Sequence, residues 1–334
     1  MENEKEYSDT NTSVGEQNTG ANLLGNPPAI SQWKNCGNFC NPPPSLTSKM
    51  NFKEPMQGYS ADCYFIAALS SVAWAAQSSL TTSATSFKFY KPDPNITDPE
   101  KRTISVNIDQ DLPVDSAGRM IFASCYVKNS PVPPGTPPVE TWPALFEKAF
   151  ASFKEKAIKD LPQGNGITAL INILAINNSA WKYYFIYDST STNVLTVNPD
   201  NISNILASGK TKYPMVAWTR SSVSTAGIYP SHTYSLLGVY NGYIVLRNPY
   251  AYRDPSKVRP EPNVGVITSG IWNPDHIPDN LIDFSDTTDG IFALRPDLFT
   301  QYFQKFGRVN NFIEKPDNNE IVLKLSEISG LGFQ

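Results

Sequence analysis

The 334-residue chain has four cysteines, two histidines and no continuous apolar run long enough to cross a bilayer. Four cysteines in so long a chain do not make a disulfide framework, and Cys36 and Cys40 lack the nearby His or second Cys pair that a zinc site needs. Basic residues are also few: 27 Lys and Arg stand against 31 Asp and Glu, with no long basic run. That balance matches a phosphate backbone poorly, so nucleic acid is not an expected partner. The opening residues, MENEKEYSDT, are acidic and polar where a signal peptide would be basic and then apolar. Asn95-Ile-Thr and Asn201-Ile-Ser fit the glycosylation acceptor pattern, which is short enough to arise by chance. These absences together lead to the expectation of an intracellular, cytoplasmic protein without a transmembrane segment.

What is present is enough apolar residue, 40% of the chain, to bury one large core or two modest ones. Residues 1–48 are rich in Asn, Ser, Thr, Gly and Pro and read as a flexible polar tail, with Trp33 as an isolated docking point. From Cys63 to Ala76 the sequence is apolar almost all round and rich in good helix formers, which describes a helix inside a core, with Asp62 as its N-cap. A second helix is predicted from Thr141 to about Lys156. There Trp142, Leu145, Phe146, Ala149, Phe150 and Phe153 recur at helical spacing, Pro143 sits in the first turn, and Glu147, Lys148, Lys154 and Glu155 mark the other face. A third is predicted near 167–176. Beyond about residue 180 short runs rich in Tyr, Val and Ile, at 213–218, 234–240 and 243–247, predict antiparallel sheet.

Asn241-Gly242 is a strong hairpin signal, because a type I′ turn needs positive φ at both central residues. It pairs Tyr240 with Tyr243, which puts His232 at the mouth of one strand and Asn248 near the end of the next. Continued without interruption, that register sets Asn248 opposite Ser235, three residues from His232 and on the other face. The turn at Pro249, or a bulge near His232, is needed to bring the two together. A helical half followed by a sheet half predicts an α+β fold with a substrate cleft between the two.

A cysteine in the first turn of a buried helix sits where unpaired N–H groups and the helix dipole favour a thiolate, and Cys63 has that place. A buried Cys is more often a small core residue. Here, however, His232 can hold its proton and Asn248 can fix the imidazole. His276, in a polar loop beside Asp275, is the weaker base. Gln57 can offer its amide to a developing oxyanion together with the Cys63 N–H, and Gly58 beside it permits close backbone approach.

Six segments in order resemble the catalytic core of calpains. Gln57-Gly58 with Asp62-Cys63-Tyr64 resembles their active-site signature, and Asp115 to Phe122 resembles their Gly-Arg strand. Thr141 to Phe150 is similar to their Trp-x-Ala-Leu-Leu-Glu-Lys-Ala-Tyr helix. Ser231 to Ser235 resembles the segment around the family histidine, Leu246 to Tyr250 the segment around its asparagine, and Asp289 to Phe292 the Asp-Gly-x-Phe that closes the core. The resemblance implies a papain-like cysteine protease fold in which a helical subdomain, about 49–180 with Cys63, packs against an antiparallel β subdomain, about 181–309 with His232 and Asn248. Residues 310–334 form a C-terminal extension.

The resemblance further implies endoproteolysis of extended polypeptides through a thioester. Cys63 would be the nucleophile, His232 the base, Asn248 its orienting residue and Gln57 the oxyanion donor, with Gly58, Asp62, Tyr64, Ser231 and Tyr250 lining the cleft. No cofactor is required for that chemistry. Calcium enters as a regulator, with Glu54, Asp286 and Asp289 as its candidate ligands. Departures from the family pattern are Tyr64 and Tyr250 in place of Trp, Ser231 in place of Gly, and a Pro- and Asn-rich stretch at 253–283. No EF-hand pattern is present, and 314–334 is too short for a C2 domain. Two alternatives are a catalytically silent binding module of this kind and a papain-related acyl transferase.

Overall fold

A computed structural model of the chain describes residues 27–35, 50–80, 85–91, 99–125, 141–174, 181–185, 208–223, 227–251 and 265–309. Cys36, Cys40, Asn95, Asn201, the 310–334 extension and most of the expected tail lie outside these residues.

Among the described residues the first half carries three helices and three two-stranded ribbons. In chain order these are β1 (Gln32–Asn35), β2 (Pro55–Met56), α1 (Cys63–Ala75), β3 (Ser86–Tyr90), β4 (Thr103–Asn107), β5 (Asp111–Val114), β6 (Ser124–Cys125), α2 (Trp142–Phe153) and α3 (Gly166–Ile173). β1 pairs with β5, β2 with β6 and β3 with β4, all antiparallel. The reading of 1–48 as a tail without a strand is therefore corrected at Gln32–Asn35. Trp33 is 51% exposed there, with the Lys148 ammonium 5.2 Å from its ring centroid. The Gly-Arg segment is a tight turn and not a strand: Asp115 Oδ1 accepts from the N–H groups of Ala117 and Arg119.

The second half is a seven-stranded antiparallel sheet with one short helix. Its elements are β7 (Trp181–Phe185), β8 (Lys210–Thr219), β9 (Thr233–Tyr240), β10 (Tyr243–Arg247), β11 (Val266–Ile267), β12 (Ile271–Trp272), β13 (Ile282–Asp283), β14 (Ile291–Leu294), α4 (Pro296–Tyr302) and β15 (Phe303–Val309). The order across the sheet is β11-β14-β10-β9-β8-β15-β7, and β12 and β13 pair separately. Among the described residues no helix is long and apolar enough to cross a membrane.

α1 is the helix its composition predicts, with every residue from Tyr64 to Trp74 buried. It lies on the sheet, and its few polar groups form the seam. Ser71 Oγ donates to the Met215 carbonyl on β8, Ser235 Oγ on β9 donates to the Ala67 carbonyl, and Trp74 Nε1 donates to the Leu237 carbonyl on β9. Arg247 at the end of β10 is fully buried and reaches Ser70 Oγ at 2.7 Å and the Lys53 carbonyl at 2.5 Å. A buried guanidinium survives only where such acceptors meet it.

The Asn241-Gly242 turn forms as predicted, with φ of 49° and 78° and Tyr243 opposite Tyr240. The register then slips by one. Val245 faces Gly238, but Leu246 faces Leu236, which leaves Leu237 as the extra residue of a β-bulge. Burial shows the same change of phase. Tyr234 and Leu236 pack on one face of the sheet and Leu237 on the other, yet Val239 returns to the first face. Gly238 makes the bulge feasible, since its φ is +150° and a Cβ there would meet the Gly209 carbonyl oxygen at 2.0 Å.

Candidate active site

His232 immediately precedes β9 and Asn248 immediately follows β10. With the bulge, continuation of the slipped register sets Asn248 opposite Tyr234, two residues from His232, so both side chains fall on one face. His232 Nε2 and Asn248 Oδ1 are 3.1 Å apart, and both residues are buried. The same Oδ1 accepts from the Tyr250 N–H at 3.0 Å. A backbone N–H can only donate, which fixes the amide orientation and makes Nε2 the protonated ring nitrogen. Nδ1 is thereby left as the acceptor.

The His232 backbone is held to β8, with its N–H donating to Thr219 Oγ1 and its carbonyl accepting from the Thr219 N–H. Tyr250 stacks on the imidazole at 4.8 Å and 6°, while Tyr229 and Tyr234 meet it edge-on at 5.6 and 5.1 Å. This enclosure in rings pushes the His232 pKa down to about 4, and the Asn248 bond only partly offsets it.

Cys63 begins α1 and is half-buried. The groups that favour its anion are those of Thr233, the residue next to His232, and the Tyr64 N–H. Burial nonetheless pushes the thiol up to about 11, and the nearby Asp62 carboxylate adds to the shift. The helix N-terminus, which favours a thiolate, is thus opposed by removal from water.

Asp62 occupies the N-cap position of α1, but its side chain makes no capping bond. It is buried against Glu147 of α2, and desolvation pushes it up to about 7. Glu147, predicted on the polar face of its helix, is 1% exposed and accepts from the Ala123 N–H at 2.8 Å. Helical spacing alone could not reveal that this face also meets protein.

Gln57 is buried and donates through Nε2 to the Ser60 carbonyl at 2.8 Å, while the Pro249 carbonyl accepts its N–H. Gly58 does allow close approach, but to the Phe122 backbone, which a Cβ would meet at 2.3 Å. Tyr64 is 4% exposed, edge-on to Phe150, and closes the core instead of presenting an open wall. Ser231 holds φ of 49°, where glycine is the unstrained residue. Ser231→Gly is therefore expected to raise the melting temperature by roughly a degree or two, and Ser231→Val to lower it by more, in a thermal scan. His276, the weaker base candidate, is exposed in a loop away from this cluster.

Thr219, whose hydroxyl accepts the His232 N–H, is a neighbour of the site that sequence reasoning missed. Gly238 was missed too, although an isolated glycine inside a strand pattern signals a bulge.

The three candidate calcium ligands each bond groups of the protein itself. Glu54 Oε2 accepts from the Asn51 N–H and the Trp142 indole, and Asp286 Oδ1 from the N–H and hydroxyl of Thr288. Asp289 Oδ1 accepts from the Ile291 N–H, and its Oδ2 lies 3.7 Å from Lys53 Nζ. Among the described residues no group of three His, Cys, Asp or Glu side chains is placed to hold a metal ion.

Two comparisons bear on this cluster. Residues 3–255 match the family model described as calpain family cysteine protease. The chain is also 26% identical over 287 residues to a thiol protease of Porphyromonas gingivalis, an alignment that covers 74% of this chain and 53% of the relative. The chain thus spans about half the length of the curated relative it matches.

Proposed function

The chain belongs to the calpain family of cysteine proteases, and from that premise we propose that it is an endopeptidase acting through Cys63, His232 and Asn248. The observation that carries this reading is the 3.1 Å contact between His232 Nε2 and Asn248 Oδ1, with Cys63 at the start of the helix that packs on β9. Asn248 holds the Nε2 proton, so Nδ1 is the nitrogen available to take the thiol proton as sulfur attacks the peptide carbonyl. The proton then passes from His232 to the leaving amine, and a thioester on Cys63 remains. Water, deprotonated by His232, hydrolyses it and restores the thiol.

The nucleophile and base are neutral at rest, so proton transfer accompanies attack instead of preceding it. Gln57 Nε2 spends one of its two hydrogens on Ser60, which orients the amide and leaves the other for the oxyanion, alongside the Cys63 N–H. The fold reading that accompanies this is papain-like, with an extended polypeptide lying between the helical and sheet halves. Thiol, imidazole and amide supply the chemistry without a cofactor.

The test is hydrolysis of fluorescently labelled casein under reducing conditions, with Cys63→Ser as control and with calcium or chelator in parallel. Thiol-dependent turnover that disappears in Cys63→Ser is the expected result, and equal rates with calcium and chelator are expected from the occupied carboxylates. An absence of turnover in both buffers would leave a binding module. Transfer of the acyl group to an added amine in place of hydrolysis would make the protein a transferase.

A further inference from the structure

The β-bulge in β9 is what aligns His232 with Asn248, and the residue left without a partner across β10 is Leu237. Its carbonyl accepts a 2.8 Å hydrogen bond from the indole Nε1 of Trp74, inside the core. Trp74 is 2% exposed, tilted against Phe52 at 4.5 Å and Trp272 at 5.7 Å, with Lys210 Nζ 4.5 Å from its ring centroid. The ring is thus fixed on several sides while its one polar atom points at the bulge.

Helix and strand run alongside each other and touch at successive points. Cys63 meets Thr233, the Ala67 carbonyl meets Ser235, and Trp74 meets Leu237. Cys63 and Trp74 are eleven positions apart, three helical turns and a rise of about 16 Å, while the four positions from Thr233 to Leu237 rise about 13 Å. The helix that begins with the thiol therefore carries, three turns later and on the same side, the group that meets the bulge of the neighbouring strand.

We propose that Trp74 is a positioning residue for the His232–Asn248 pair: its indole N–H anchors the Leu237 carbonyl and fixes the one-residue slip that puts Asn248 on the face of His232. Without that donor the carbonyl is a buried acceptor with a weaker hold on the bulge, and the regular register, which separates the two side chains, competes. The inference rests on the reading of Cys63, His232 and Asn248 as one site.

The chain has only two histidines, so ¹⁵N spectra of the imidazole rings resolve His232 from the exposed His276 without further labelling. In the unaltered protein His232 is expected to show a protonated Nε2 and a bare Nδ1 across neutral pH. Trp74→Phe, and site-specific replacement of Trp74 by its isostere benzothienylalanine, should shift His232 toward a mixture of tautomers, as Asn248→Ala does. Adding Asn248→Ala to either should change the spectrum no further. kcat should fall about 10- to 100-fold with little change in KM. The isostere keeps the ring volume, so it answers the question even if Trp74→Phe fails to fold.

A His232 spectrum unchanged by the isostere, with only a lower melting temperature, overturns the proposal and makes Trp74 a packing residue. A His232 that lacks the Nε2–H tautomer in the unaltered protein overturns it as well. If casein is not cleaved but the tautomer shifts as described, the peptidase reading fails and the positioning role of Trp74 stands.

Discussion

Alkylation of Cys63 by iodoacetamide is expected to be slow at pH 7 and to accelerate about tenfold per pH unit, levelling only near pH 11. The thiolate is the reactive form, and its share rises tenfold per unit until the pKa is passed. Two sets of forces act on this thiol. The donors from Thr233 and Tyr64 favour the anion, while burial and the Asp62 carboxylate oppose it, and burial is the largest. A cationic imidazole would change the balance, but His232 sits at about 4 and is uncharged at neutral pH. Rates read from the mass of the Cys63-containing peptide over pH 6–11, with Cys63→Ser as blank, give the profile. A plateau between pH 5 and 8 would mean a thiolate–imidazolium pair and would overturn the neutral resting state.

The pH dependence of stability has a related sign. A neutral buried His232 binds its proton later than the unfolded chain does, so its contribution is complete above pH 6.5 and is lost as pH falls toward 4. Asp62 and Asp289, raised to about 7 and about 6, act oppositely and weaken the fold as pH rises from 4 through those values.

Gly238→Ala is the substitution expected to do the most damage for one methyl group. The new Cβ would lie 2.0 Å from the Gly209 carbonyl oxygen and 2.9 Å from the Trp272 ring, at a backbone angle that L residues avoid. The Gly209 carbonyl also accepts the Val239 N–H at 2.7 Å, so it cannot retreat without losing that bond. A cost on the order of 3 kcal/mol follows, together with loss of most turnover because the bulge and the Asn248 register go with it. Thermal melts and casein hydrolysis on the same preparation check both. A variant that melts and cleaves like the parent would show that the bulge is not what sets the register.

Much of this was legible in the residues. The hairpin at Asn241-Gly242 formed with its predicted pairing, because the turn demands positive φ and the sequence offers residues that accept it. α1 was legible because an all-round apolar helix has no place but a core. The conflict in register between His232 and Asn248 was legible too, and so was its remedy; the glycine that supplies the remedy was overlooked. Less visible were Glu147, whose burial depends on a loop from elsewhere in the chain, and the thiol pKa, which depends on how completely water is excluded. β1 escaped notice because four residues paired to a distant ribbon leave almost no periodic trace.

The serine and tryptophan seam of α1 has a mechanical consequence. Four buried hydrogen bonds, from Ser71, Ser235, Trp74 and Arg247, fasten the helix that begins with the thiol to the strands that carry its base. Each is worth about 1 kcal/mol net, and breaking one without replacement strands a buried carbonyl or hydroxyl at greater cost. Prying helix from sheet would break all four together, so an opening to admit a polypeptide is expected in segments outside this joint.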